Sequence, residues 1–229
     1  MEEYSLDNLP NIGANPVVTM DIILKGELLG KIMIKLFRDA FPAGVENFTR
    51  ICLGSTYRLE NKGGGDFSYK KQIRRTFSGC KFYNFSYNNY IVCGDIYNNN
   101  GKNAGTIFSD EPIPADFGDY YYPHDSKGLV SLIPFTDEEG NNFYDSTFMI
   151  TLDNAKSTNI IRELDSNQIV IGQVFSGLDT LDKINKLIIP HARRSYPEFV
   201  IGKILVSNIN NPNNKISSLR RKKSNKRKY

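Results

Sequence analysis

The chain has no tryptophan, two histidines and three cysteines in 229 residues. Three cysteines (Cys52, Cys80 and Cys93) make an odd, sparse set. They exclude a disulfide framework and lead us to expect free, buried thiols in a reducing compartment. Cys80 and Cys93 stand thirteen residues apart, a spacing that fits no zinc pattern. The two histidines, His124 and His191, sit in loop-like stretches and cannot serve both a triad and a metal site, so each is read as structural or solvent-exposed. No run of ~18 apolar residues occurs, which excludes a membrane-spanning helix. The start, MEEYSLDNLPNIGAN, is acidic and polar, unlike a secretory leader. An intracellular, non-secreted protein is expected, and the sequons at Asn47 and Asn84 then carry no consequence. No metal and no cofactor is expected either. Gly63–Gly65 lacks the Lys-Ser/Thr of a phosphate loop, and Asp137–Ser146 lacks the alternating ligand order of a calcium loop and reads as a surface turn.

What is present is unevenly spread. Residues 210–229 hold eight Lys/Arg and no Asp/Glu. Without them 21 basic residues face 25 acidic ones, so the body carries about −4 while the whole chain carries +4. A segment so dense in one charge cannot bury a core and stays extended. Arg220, Arg221, Lys222, Lys223, Lys226, Arg227 and Lys228 form a candidate arm for nucleic acid or another polyanion, or a nuclear-type address. Alanine is scarce (7) beside 24 Asn and 24 Ile, a bias toward A/T-rich codons.

Between an acidic extension (residues 1–14) and this tail, residues 15–209 read as one domain. Val17–Leu24 and Lys31–Phe37 predict a hairpin with one buried face. Pro42 opens and Gly54 closes a helix whose Val45, Phe48 and Cys52 form one apolar stripe. Residues 55–79 show no clear period and read as a long inserted surface loop. Further strands are expected over Lys81–Val92, Gly128–Ile133, Ser146–Leu152, Gln168–Val174 and Phe199–Val206. A second helix is expected over Leu178–Ile189, ended by Pro190. Many short strands with two separated helices suggest a mainly β fold, a closed antiparallel barrel with helices over its open ends.

The order of these segments resembles the cyclophilins. Asn15-Pro16 with Asp21 is similar to their NPxVxxDI, and Glu27…Leu29-Gly30…Ile34…Leu36-Phe37 to GExLGRxxxELF. Pro42…Glu46-Asn47-Phe48 resembles PxxxENF, and Gly94-Asp95…Gly101 resembles QGGDxxxxxG. Gly128–Leu132 resembles GxLSM, and Ile169–Val174 resembles HVVFGxV. The resemblance implies an eight-stranded antiparallel barrel capped by two α-helices, and cis–trans isomerisation of X-Pro bonds. It also implies a groove in which an Arg donor, a Phe–Met–Phe proline pocket and a rim of Gln, Asn, Trp and His hold a proline-containing peptide.

Most groove positions depart from that pattern. The donor Arg falls at Asn84. The pocket Phe best matches Tyr90 and its neighbouring Met Ile91, with one residue gapped before Gly94; the Gln of QGGD has no clean counterpart. The Ala-Asn pair falls at Ile133-Pro134, the SQFF segment at Ser146-Thr147-Phe148-Met149, the Trp-Leu pair at Glu163-Leu164 and the rim His at Gln168. The expected groove is therefore Tyr90, Ile91, Ile133, Pro134, Thr147, Phe148, Met149, Leu164 and Gln168. Three functions stay open: a binding module for protein or proline-containing peptide with weak or no isomerase activity, an active isomerase assisting protein folding, and a polyanion-associated adaptor. Self-association is also open. If the tail is a polyanion arm, fluorescence titration with nucleic acid gives affinity that falls with salt and disappears when residues 210–229 are removed. Salt-independent or absent binding rejects the arm.

Overall fold

In the computed structural model, the described residues are 15–54, 56–60, 70–102, 104–108, 111–115, 121–153, 158–189 and 196–208. The acidic extension, His191, Pro190 and the basic tail lie outside them. The framework is an eight-stranded antiparallel sheet. Its strands are β1 (Pro16–Leu24), β2 (Glu27–Leu36), β5 (Asn84–Ser86), β6 (Tyr90–Cys93), β8 (Leu129–Leu132), β11 (Phe148–Thr151), β12 (Ile169–Ser176) and β13 (Phe199–Asn208). They lie in the order β13-β1-β2-β12-β8-β11-β6-β5. The first and last strands pair along their length, from Pro16 with Asn208 to Leu24 with Phe199.

The sheet curls but its ladder does not run all the way round. The segment before β5 spans the seam instead: Gly79 N–H donates to Ile201 O, Phe82 N–H to Phe199 O, and Ile201 N–H to Cys80 O. Lys81 and Val200 form an isolated bridge there. Period-two alternation sends Val18, Met20, Ile22, Ile32, Ile34 and Leu36 into one core, all without exposed surface. Ile91, Cys93, Phe148 and Ile150 complete it from the far side of the curl.

Helix α1 (Pro42–Leu53) starts with Pro42 in its first turn and stops at Gly54, in the left-handed conformation. Val45, Phe48, Ile51 and Cys52 are buried in the core. The Phe48, Phe77 and Phe148 rings meet pairwise with centroids 5.0–5.1 Å apart. Asn47 is fully buried and accepts the Ile107 N–H at 2.8 Å, so α1 also anchors the segment that precedes β7 (Ile113–Pro114). Helix α3 (Leu178–Leu187) buries Thr180, Leu181 and Ile184.

Four expectations need correction. There are three helices among the described residues, because α2 (Thr158–Asn167) precedes β12. Lys81–Val92 is not one strand: Asn88 takes a left-handed backbone (φ 61°) and folds it into the β5–β6 hairpin. Residues 55–79 are not all loop, since β3 (Thr56–Glu60) pairs antiparallel with β4 (Lys70–Arg74). Finally Asp137–Ser146 is not only a surface turn: β10 (Asn142–Tyr144) lies within it, buries Tyr144, and joins β7 and β9 (Phe135–Thr136) in a small sheet. Phe148 belongs to the aromatic core, so Phe148→Ala is expected to lower unfolding free energy by about 3–5 kcal/mol. Urea denaturation measures it; a loss of less than about 1 kcal/mol would show that the three rings do not hold the core.

Candidate functional site

Strands β6, β8 and β11 pair side by side, with Val92 opposite Met149 and Met149 opposite Ser131. Residues two apart share a face. Ile91 and Phe148 therefore face the central core, while Val92 and Met149 face the other side. There Val92, Met149 and Leu164 form a second buried apolar cluster, with Tyr83, Tyr90 and Ile133 packed half-buried around it. Met149 has no exposed surface at all. The cluster fills itself, so the surface it offers a partner is Tyr83, Tyr90 and Ile133. Pro134 and Thr147 are half-buried.

Asn84 stands exposed at the start of β5, directly opposite Val92. Its side chain has no hydrogen-bond partner among the described residues. The structure thus gathers Tyr90, Ile133, Met149 and Leu164 as the sequence led us to expect. It puts Ile91 and Phe148 on the opposite face. Val92 and Tyr83 were missed. Counted back from Gly94-Asp95 without a gap, Val92 falls at the Gln of QGGD. Strand alternation from Tyr90 was the signal for Val92. Gln168 lines a separate cavity with Ala40, Tyr122 and Tyr144.

Tyr83 joins the cluster to its border. Burial pushes its phenol up to about 12, and a hydrogen bond with Thr147 offsets part of that rise. Its ring lies over Gly101, where any Cβ would meet it at 2.6 Å. Gly101 belongs to a loop organised by Asp95. That carboxylate is almost wholly buried and accepts the backbone N–H groups of Tyr97, Asn98, Asn100, Gly101 and Lys102. Burial alone would raise its pKa, but the backbone donors outweigh burial and lower it from 3.8 to about 2. Gly94 beside it has φ 124°, and a Cβ there would sit 2.2 Å from Ser146 O.

Among the described residues no group of three or more His, Cys, Asp or Glu could hold a metal ion. Cys52, Cys80 and Cys93 are free and buried. Burial, with Asp95 nearby, pushes the Cys80 thiol up to about 12, so these thiols stay protonated at neutral pH. His124 is fully buried rather than solvent-exposed.

A curled eight-stranded antiparallel sheet, plugged by a helix and carrying an apolar cluster on one outer face, defines the cyclophilins. This chain belongs to that family: residues 19–206 match the family model for cyclophilin type peptidyl-prolyl cis-trans isomerases. One relative is a structural PPIase-like protein of Acanthamoeba polyphaga mimivirus. It is 62% identical over 200 residues, covering 87% of this chain and 86% of that protein. The crystal structure of the mimivirus cyclophilin superposes with a TM-score of 0.76 at 57% identity, over 89% of this chain and 95% of that one. No helix among the described residues is long and apolar enough to cross a membrane.

Asp95 also sets an acid limit. Its folded pKa lies below its unfolded value, so the stability it contributes is present above about pH 4 and is lost as pH falls through about 2. Asp95→Asn is expected to be less stable at pH 7 and to lose less between those two pH values. Equal slopes in thermal unfolding across that window would exclude Asp95 as the source.

Proposed function

We propose that this cyclophilin binds protein or proline-containing peptide partners through the face around Tyr83, Tyr90 and Ile133, with weak or no isomerase activity. The observation that carries this is the Asn84–Val92 pair. Isomerisation breaks no bond; it must lower a rotational barrier of ~18–20 kcal/mol. Twisting the amide makes the proline nitrogen basic, and a donor aimed at it stabilises the transition state more than the ground state. By the family resemblance an Arg supplies that donor. Here a short neutral amide stands in its place, opposite an apolar Val92. A charged donor contributes roughly 1.5–3 kcal/mol against about 1 for a neutral one. The difference alone is about tenfold in rate. The shorter reach of Asn adds to it, since such donors act at ~3 Å. The self-filled cluster also leaves no open wall at Met149 for a proline ring.

Under this reading the chain works in the cytoplasm, the nucleus or a virion, and the name of the mimivirus relative, a structural protein, favours the last. The basic tail supplies a second contact, to a polyanion. Active folding catalysis is the competing reading, and a coupled proline-isomerisation assay separates the two. The expected kcat/KM lies more than about tenfold below that of a typical cyclophilin. The double substitution Asn84→Arg with Val92→Gln is expected to raise it. Activity within about tenfold of a typical cyclophilin in the unaltered protein rejects the proposal.

A further inference from the structure

We propose that His124 is a positioning residue that couples the two walls of this groove and makes their spacing depend on pH. The inference rests on the groove reading above. His124 lies fully buried in the segment that leads into β8. Its backbone N–H and its Nδ1 both meet Asp165 Oδ1, at 2.9 and 2.6 Å. Its Nε2 lies 2.7 Å from Ser131 Oγ. One imidazole thus ties α2 to β8.

Those anchors sit beside groove residues. Asp165 directly follows Leu164. Ser131 precedes Ile133 by two residues and lies opposite Met149. Alternation puts Ser131, Ile133 and Met149 on one face. The ring therefore holds the strand that carries Ile133 and the helix that carries Leu164 at a fixed separation.

The Asp165–His124–Ser131 order has the form of a charge relay. Ser131 has no exposed surface, so its hydroxyl cannot attack a substrate. What the arrangement can do is hold. Asp165 accepts from Nδ1–H, which leaves Nε2 as the acceptor for the Ser131 hydroxyl; this tautomer follows from the bonding partners. Protonation at Nε2 reverses this bond: Nε2–H donates to Ser131 Oγ, the hydroxyl hydrogen loses its acceptor and must turn to another, and a charge is placed between β8 and α2. Among the described residues, the charged and titratable groups around the ring are Asp165 on α2, Tyr121, which hydrogen-bonds Asp165, and Asp125, the next residue in the chain. Burial lowers the histidine pKa from 6.5, and the two carboxylates offset only part of this. The ring is neutral at pH 7 and charges only in more acid solution.

Methyl NMR of the full chain from about pH 8 to about 5, the range in which histidine titrates, tests the coupling. The methyl signals of Ile133, Leu164 and Met149 are expected to move together with the His124 ring proton, at a midpoint below 6.5. Those of Ile22 and Ile201 in the central core are expected to stay still. His124→Gln should abolish the movement, and Ser131→Ala should abolish it for Ile133 and Met149 while Leu164 keeps it. Groove methyls that ignore the His124 titration in the unaltered protein overturn the proposal, whether or not either variant folds. A labelled Ala-Pro peptide supplies the functional readout: its affinity should fall about fivefold or more across the titration, and in His124→Gln it should not. Binding at no pH would reject the groove reading, while the methyl titration would still decide the role of His124.

Discussion

Every residue of a β-strand belongs to one of two faces, and strands β6, β8 and β11 use both. Ile91 pairs with Ile150, and Cys93 with Phe148, on the side that packs the core. Val92 pairs with Met149 on the other side, in the cluster with Leu164. The two surfaces share one backbone. A register slip of one residue would exchange them and turn the core outward, so burial of the core pins the register. The outer face can then change only by substitution in place. That is the form its differences from the family pattern take: Asn84 and Val92 sit where a donor pair is expected, on strands whose inner residues remain apolar.

The asparagines of Lys81–Gly101 belong to the same economy. Asn88 takes a left-handed backbone that asparagine tolerates better than most residues. It also exchanges hydrogen bonds with Asn185 on α3, at 2.9 and 2.8 Å. Asn99 is left-handed too, and its Oδ1 accepts the Lys81 N–H at 2.8 Å. Asn98 and Asn100 present their backbone N–H groups to Asp95. Asn88, Asn98, Asn99 and Asn100 therefore serve turns and seams, where short polar side chains replace missing backbone partners. Asn84 has no such task in the structure.

Much of this was legible in the sequence. A β-branched run marked β1, alternation marked β2, and the Pro42 and Gly54 signals bounded α1 to within a residue. Short apolar runs marked most of the remaining strands, and the order of the cyclophilin motifs tied them into one fold. What was not legible has local causes. The β5–β6 turn is built from Tyr-Asn-Asn without glycine, so it resembled a flawed strand. Helix α2 is only ten residues long and was passed over in favour of the Trp-Leu landmark inside it. The groove was partly misread for one reason. A single gapped residue in a strand exchanges its faces, so core-facing Ile91 was placed in the groove beside Tyr90, and Val92, which shares the Tyr90 face, was left out. The run Thr147-Phe148-Met149 could not face one way together. The His124 bridge was invisible because its partners lie seven and forty-one residues away.

The pairing of Pro16 with Asn208 has a temporal side. The sheet begins with a strand whose neighbour is the last one made, nearly the whole domain later. Contacts of such long sequence separation slow folding, because the loop between them must be ordered before they form. During synthesis β1 emerges with one of its two neighbours absent, exposing an unpaired edge until β13 clears the ribosome. The domain cannot complete its sheet piecemeal; it waits for the C-terminal strand. A truncation just before Phe199 would therefore remove more than one strand's worth of order, since it would leave one edge of β1 and the Gly79–Phe82 seam unpaired.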